Sequence, residues 1–379
     1  MRIDLVITEL DTGGAERCCA ELAQFLSSRN HRVRILALGP RPKPPKQAIA
    51  DWLDEQGVPV EYLGGTTWRQ LPSVAWRLRS AFQRDKPDVV QSFLWHANVL
   101  AASVLPYRSV PLIGGVRVAE PKASRHPLSR LASKRMSQIV CVSESIRDWC
   151  IRVEGVPASK LVVIPNGIRT STQVAVALDP NSHQVPDNAK VLLFVGRLNE
   201  QKGIDVLLKN VASLLNRLPE YHLVLIGDGP LRRQCDELAA GTRGDEERGE
   251  DIVKGRLHVL GRRDDVASWM ARAQLFVLPT RYEGMPNVIL EAMSAKLPVA
   301  TLLVEGVAEL LGDSQDDQSV AAEDWLGFFE LVLKLARNDA LREQLGDRNK
   351  HRVEHHFQLD AQLIRYEDLY GKFLGTVQR

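Results

Sequence analysis

The stretch QLFVLPTRYEGMPNVILEAM (274–293) changes character halfway along. Its first part is a short apolar run closed by Pro279, which suits a strand buried on both faces. Its second part carries apolar residues at helical spacing. Pro286 and Asn287 read as its first turn, where the missing proline N–H costs little. Strand, short loop and helix make half of a strand–helix–strand unit, and the alternation recurs along the chain. In the front half the apolar runs are IDLVIT (3–8), RVRILAL (32–38), VPVEYL (58–63), DVVQSF (88–93), VPLIGGV (110–116), QIVCVS (138–143) and LVVIP (161–165). In the back half they are KVLLFVG (190–196), YHLVLIG (221–227), RLHVLG (256–261), QLFVLP (274–279) and LPVAT (297–301). Helical segments such as GAERCCAELAQFLSSR (14–29) and IDVLLKNVASLLNRL (204–218) lie between them. The fold class is therefore α/β, with two doubly wound, Rossmann-like domains.

The polar, turn-rich segment 169–188 is the natural linker. It divides a first domain, 1–168, from a second, 189–357. The charged, glycine-rich segment 239–255 reads as a surface loop or as a charged helix extension. After residue 322 the chain looks helical to its end, and 358–379 forms a final helix.

Composition narrows the function. No run of about 18 apolar residues is present, so no spanning helix is expected. The N-terminus carries Asp4 inside its apolar run and reads as a first strand, not a signal peptide. Five cysteines without a C-x-x-C argue against a zinc site or disulfide framework and suit a reducing, cytoplasmic location. Residues 1–169 hold 24 Lys or Arg against 15 Asp or Glu, net +9, whereas the remainder holds 25 against 32, net −7. The basic front half suits an anionic substrate or membrane, or simply keeps that surface solvated. No nucleic-acid-binding module surrounds the basic residues, so a nucleic-acid partner is not expected.

Ligands of open α/β sheets bind past the carboxyl ends of the strands. After VLLFV comes GRLNEQKG (196–203), where Gly196 permits close backbone approach and Arg197 and Lys202 can neutralise a diphosphate. After HLVLI comes GDGP (227–230), which is not the G-x-G-x-x-G dinucleotide fingerprint. In the opening stretch, Glu283 lies in the loop before the helix and Glu291 about 1.5 turns inside it. They are on the order of 8–12 Å apart, too far for one metal site and suited to two parts of one extended ligand. Gly284, Met285 and the first helical N–H groups offer donors between them.

GRLNEQKG, GDGP and EGMPNVILEAM in this order, with PNGI (165–168) before the linker and TGGAER (12–17) after the first strand, resemble the nucleotide-sugar glycosyltransferases of family 4. The resemblance covers nearly the whole chain. It implies the GT-B fold, two Rossmann-like domains facing across a cleft, with the final helix crossing back to the first domain. It implies that Arg197 and Lys202 bind the diphosphate and stabilise the leaving group in place of a metal, so that neither a metal nor another cofactor is expected. Glu291 would accept from the ribose hydroxyls and Glu283 would contact the sugar. Gly196, Gly227, Arg262, Gly284, Met285 and Asn287 would complete the donor side, and Gly13 and Gly14 would approach the phosphates or the acceptor. The family retains anomeric configuration, so no nucleophile is required. The partners implied are a nucleotide-diphosphate sugar and a glycan or lipid-linked acceptor.

Departures from the family's pattern stand beside these matches. Where the family's pattern often has a histidine, this chain places Arg117, which can bind an anion or sugar but cannot act as a neutral base. His96 in FLWHAN is the remaining histidine near a strand end in the front domain, and reads either as a catalytic group or as ordinary helix-start packing. Glu305 stands near where a glycine is common. GDSQDDQSVAAED (312–324) replaces the usual apolar patch. Ser143 is either an acceptor contact or the N-cap of the next helix. SRHPLSRLASKRMSQ (124–138) and WRQLPSVAWRLRSAFQR (68–84) are basic and amphipathic. They suit peripheral contact with the inner face of a membrane, or ordinary packing on the sheet. Two other functions stay open: a GT-B-like epimerase, and a non-catalytic nucleotide-sugar-binding relative.

Overall fold

A computed structural model describes residues 1–11, 13–106, 110–120, 122–169, 185–241 and 253–377, with the backbone alone from residue 374 on. Most of the segments 169–188 and 239–255 lies outside the described residues. The chain divides into two compact units, Met1–Asn166 with Asp360–Arg379, and Gly167–Leu359.

The first unit is a parallel sheet of seven strands: β1 (Arg2–Ile7), β2 (Arg32–Ala37), β3 (Val60–Tyr62), β4 (Val89–Phe93), β5 (Leu112–Val116), β6 (Gln138–Cys141) and β7 (Leu161–Val163). Their order is β3-β2-β1-β4-β5-β6-β7. Ile3, Leu5, Val6 and Ile7 have no solvent exposure, as expected of a strand covered by helices on both faces. The final helix, Leu359–Val377, packs on this unit. Tyr366 and Tyr370 are buried, the Tyr370 hydroxyl lies 3.3 Å from Gln91 Oε1, and Gln362 lies 3.4 Å from Cys18 Sγ.

The second unit is a parallel sheet of six strands: β8 (Lys190–Val195), β9 (Tyr221–Ile226), β10 (Leu257–Gly261), β11 (Leu275–Leu278), β12 (Val299–Leu303) and β13 (Ser319–Ala321). The order is β10-β9-β8-β11-β12-β13. All twelve apolar runs read from the sequence are strands. The thirteenth strand, β13, falls inside GDSQDDQSVAAED, where three residues of weak hydrophobicity give no periodic signal. It forms because β12 offers an open edge: Leu302 and Leu303 pair with Val320 and Ala321.

In PNGI, Gly167 has a backbone role in the second unit. Ile168 pairs with Gln358, and a Cβ on Gly167 would press on the Gln358 carbonyl. The loops after β8, β9 and β10 are likewise stacked backbone on backbone. Gly196 N donates to Ile226 O (3.0 Å), Leu198 N to Asp228 O (3.0 Å) and Gly227 N to Gly261 O (2.8 Å). Gly227 has φ +137°, and a Cβ there would overlap the Gly196 carbonyl oxygen. GDGP is therefore a spacer that lets three loops lie close. Gly227→Ala should destabilise the protein by at least about 2 kcal/mol, through both strain and overlap. A melting temperature unchanged from wild type would disprove this account of the glycine.

Candidate active site

Strand order in the second unit reverses between β8 and β11, and the loops leaving these two strands form its ligand crevice. The first loop carries Arg197 and Lys202 and the second carries Glu283. Lys202 Nζ forms an ion pair with Glu283 Oε1. Thr280 Oγ1 lies 2.8 Å from the same Glu283 oxygen, and Thr280 is fully buried. Glu283 is itself buried, so its charge depends on these two partners. Arg197 is exposed, and its guanidinium has no hydrogen-bond or ion-pair partner among the described residues. Lys202 N donates to Asn199 Oδ1 (3.1 Å), which orders the turn between the two cations.

Pro286 ends the second loop, and the helix Asn287–Ser294 starts beyond it with Asn287 in its first turn. Glu291 is half-buried on this helix, Gly284 and Met285 are buried in the loop, and Arg262 is exposed after β10. A Cβ on Gly306 would overlap the Gly284 carbonyl, so the loop after β12, with half-buried Glu305, lies against the same turn. The second unit thus brings Lys202 to Glu283, with Gly284 and Met285 in the same loop as Glu283 and Arg197 in the same loop as Lys202. Among the described residues no group of three or more His, Cys, Asp or Glu side chains is arranged to hold a metal ion.

Four residues absent from the sequence reading hold this crevice in register. Gln201 bridges the loops: its carbonyl accepts from Arg281 N (2.8 Å) and its amide donates to Tyr282 O (3.1 Å). Arg281 donates through both ends of its guanidinium to Asp205, at 2.7 and 2.8 Å, and also reaches the Glu200 carbonyl. Its plane lies 5.0 Å from the Trp325 ring centroid. The bond from Arg281 holds the Asp205 carboxyl below its ordinary range. Only Asp205, in the first turn of the helix Ile204–Arg217, left a sequence signal, an acidic residue at a helix start. The others act through contacts between segments far apart in the chain.

In the first unit the reversal falls between β1 and β4. Gly13 precedes the helix Gly14–Ser28 and adopts extended backbone. Glu16 folds back on Gly13, so closely that a Cβ on Gly13 would overlap its carboxylate. Burial pushes the Glu16 carboxyl up from 4.5 to about 7. After β4, Leu94 holds φ +70°, a strained value for leucine, and the helix Trp95–Val104 begins. His96 is exposed with its ring edge-on to Trp95. Partial burial and nearby Arg125 keep its imidazole below the ordinary histidine value. Arg117 is buried, and its guanidinium donates to Asn166 of PNGI. Ser143 is buried and caps the helix Glu144–Arg152 by accepting from Ile146 N at 3.2 Å. Arg117 and Ser143 are thus engaged inside the unit, whereas His96 faces solvent.

Two Rossmann-like units with parallel sheets of this order have the architecture of the GT-B fold. Residues 12–172 match the family described as Glycosyltransferase Family 4, and residues 189–338 match Glycosyl transferases group 1. The chain belongs to the family 4 glycosyltransferases. It is 26% identical to the phosphatidyl-myo-inositol mannosyltransferase of Mycolicibacterium smegmatis over 95% of this chain and 91% of that protein. It is 25% identical to the lipopolysaccharide core biosynthesis glycosyltransferase LpsE of Rhizobium meliloti over 75% of this chain and 76% of that one. Among solved structures, Anabaena Alr3699/HepE in complex with UDP superposes with a TM-score of 0.79 at 18% identity, over 98% of this chain and 100% of that one.

Two outcomes follow from this geometry. Glu16 binds its proton more tightly folded than unfolded, so it costs stability as pH rises from 4.5 to about 7. Glu16→Gln should therefore gain on wild type by on the order of 2–3 kcal/mol between pH 4 and 8 in denaturant titrations. An equal difference at both ends would show that burial of the carboxylate is not the cause. Arg281→Ala should loosen the loop carrying Glu283, lowering kcat/KM for sugar transfer about 10–100-fold while nucleoside-diphosphate affinity stays within about twofold. Equal losses in both would place Arg281 in general folding rather than in loop register.

Proposed function

We propose that this chain is a retaining, metal-independent glycosyltransferase that moves a sugar from a nucleoside-diphosphate donor to a glycan or lipid-linked acceptor. The Lys202–Glu283 pair beside exposed Arg197 at the β8/β11 reversal carries the reading. Arg197 and Lys202 meet the diphosphate and stabilise charge on its leaving oxygen, which is the work a divalent ion would otherwise do. Glu291 accepts from the ribose hydroxyls. Glu283, fixed by Lys202 and Thr280 through one oxygen, offers the other to a sugar hydroxyl. Gly13, Gly14, Gly196, Gly227, Arg262, Gly284, Met285 and Asn287 shape the donor side, and His96, Arg117 and Ser143 stand on the acceptor side. The anomeric carbon–oxygen bond to the diphosphate breaks, and the acceptor hydroxyl attacks from the same face. Its proton passes to the departing phosphate oxygen, which gives retention without a protein nucleophile.

The UDP bound by HepE supports a nucleoside-diphosphate donor. The mannosyltransferase and LpsE, whose names carry phosphatidyl-inositol and lipopolysaccharide, support a lipid or glycan acceptor. Five buried cysteines outside any disulfide suit a cytoplasmic location, and peripheral contact with the inner membrane face belongs to the same proposal. Among the described residues no helix is long and apolar enough to cross a membrane.

A thermal-shift panel of UDP, GDP, ADP, CDP and dTDP with EDTA tests the donor site. One nucleotide should stabilise the wild type, by about 2.7 kcal/mol at 100 times its dissociation constant, and Glu291→Ala should lose that shift. No shift with any of the five, in folded protein, would overturn the donor assignment in favour of a non-catalytic relative.

A further inference from the structure

The helix Asp339–His356 buries Leu345, Gly346, Asn349 and Val353 and turns its other side to water. It ends in KHRVEHH (350–356), a histidine-rich stretch that the sugar-transfer chemistry does not use. His351 and His355 stand one helical turn apart on the outer side, and both are exposed. Their ring centroids are 4.0 Å apart, with the planes 36° from parallel. Two histidines at this spacing on one helix face are the bidentate arrangement that grips a zinc ion.

Hydrogen bonding gives the pair a direction. His355 Nδ1 lies 2.7 Å from the His351 carbonyl oxygen. A carbonyl only accepts, so Nδ1 carries the hydrogen and Nε2 of the neutral ring keeps its lone pair. A ligating histidine has this arrangement, in which the second nitrogen donates to a carbonyl and so sets the tautomer and the ring orientation. Charge favours a cation as well. Both rings lie in the last two turns of the helix, toward the negative end of its dipole. Asp347 stands one turn before His351 and Glu354 directly before His355, each partnered by a lysine, Lys296 and Lys350. An ion held by both Nε2 atoms at about 2.1 Å needs the rings only slightly further apart, and exposed side chains can turn that far. A second close pair, His222 and His258 on β9 and β10, is unsuited. There the ring nitrogens face each other at 2.9 Å, with Arg256 and Arg272 near.

We infer that His351 and His355 form a surface site for one divalent first-row transition metal ion, Zn²⁺, Ni²⁺ or Cu²⁺, with water in the remaining positions. Imidazole nitrogen suits these ions and not Mg²⁺ or Ca²⁺, which take oxygen ligands. Two protein ligands make the site an exchangeable one, short of the three or four that a structural zinc requires. Neither histidine belongs to the donor loops, so the inference does not rest on the proposed reaction, and an ion here supplies nothing to it.

The test is calorimetric titration of the full chain, stripped with EDTA and desalted, with ZnCl₂, NiCl₂ and MgCl₂. Zn²⁺ and Ni²⁺ should each fill one site that Mg²⁺ does not. His351→Ala and His355→Ala should each weaken Zn²⁺ at that site at least about tenfold, since loss of a ligand costs no less than loss of its supporting hydrogen bond. His356→Ala, equally exposed on the neighbouring position, should bind as wild type does. Without metal, the His351 and His355 variants should melt within about 2 °C of wild type, because both positions are at the surface. Added Zn²⁺ should raise the melting temperature of wild type and of neither variant. No binding of Zn²⁺ or Ni²⁺, binding that His355→Ala retains, or binding that His356→Ala removes would overturn the inference. Nucleotide shifts in EDTA should be alike in wild type and both variants, so a failure of the donor site is read separately from a failure of this one.

Discussion

Parallel strands in a reversing order leave their carboxyl ends facing one crevice, and in the second unit that constraint brings Lys202 to Glu283 across 81 residues of sequence. A buried carboxylate needs such a partner, because an isolated charge in that position would be strongly disfavoured. The pairing holds only if the two loops keep their register. Gln201 joins them through the backbone, Arg281 ties the second to Asp205 of the helix after the first, and the glycines let the neighbouring loops close around them. The chemistry proposed for the site is thus a consequence of loop stacking at strand ends.

The first unit uses its polar groups differently. Arg117 is engaged inside the unit by Asn166, and Ser143 by a helix end. What remains open near the β1/β4 reversal is His96 after strained Leu94, and the Gly13 turn covered by Glu16. A carboxyl pushed up to about 7 beside a glycine loop is costly in the ionised form. Such a cost is characteristic of places where function rather than stability selects the residue.

The outer helices of the first unit show the same division of labour at larger scale. Val74, Leu78, Ala81 and Phe82 of one helix face the sheet, while Trp76 on the opposite side of the same helix stays exposed. An amphipathic helix normally turns its charged side to water. Here the outward side is both charged and aromatic, a combination that hydration alone does not require.

The sequence by itself determined the strand–helix alternation, twelve of the thirteen strands, the family and the candidate donor residues. Those signals are local: apolar runs bounded by Gly and Pro, and short motifs at strand ends. Only the tertiary structure decided which groups meet. β13 exists because an edge was there to receive it, and Gly227 matters for a carbonyl 31 residues away in the chain. Thr280, Gln201 and Arg281 became legible as supports of Glu283 only once the two loops were side by side. Likewise Trp76 and Leu131, each read within its own amphipathic segment, share a face because the crossovers have one hand. Periodicity records what a residue does in its own element, whereas pairing across elements depends on which strand ends lie next to which.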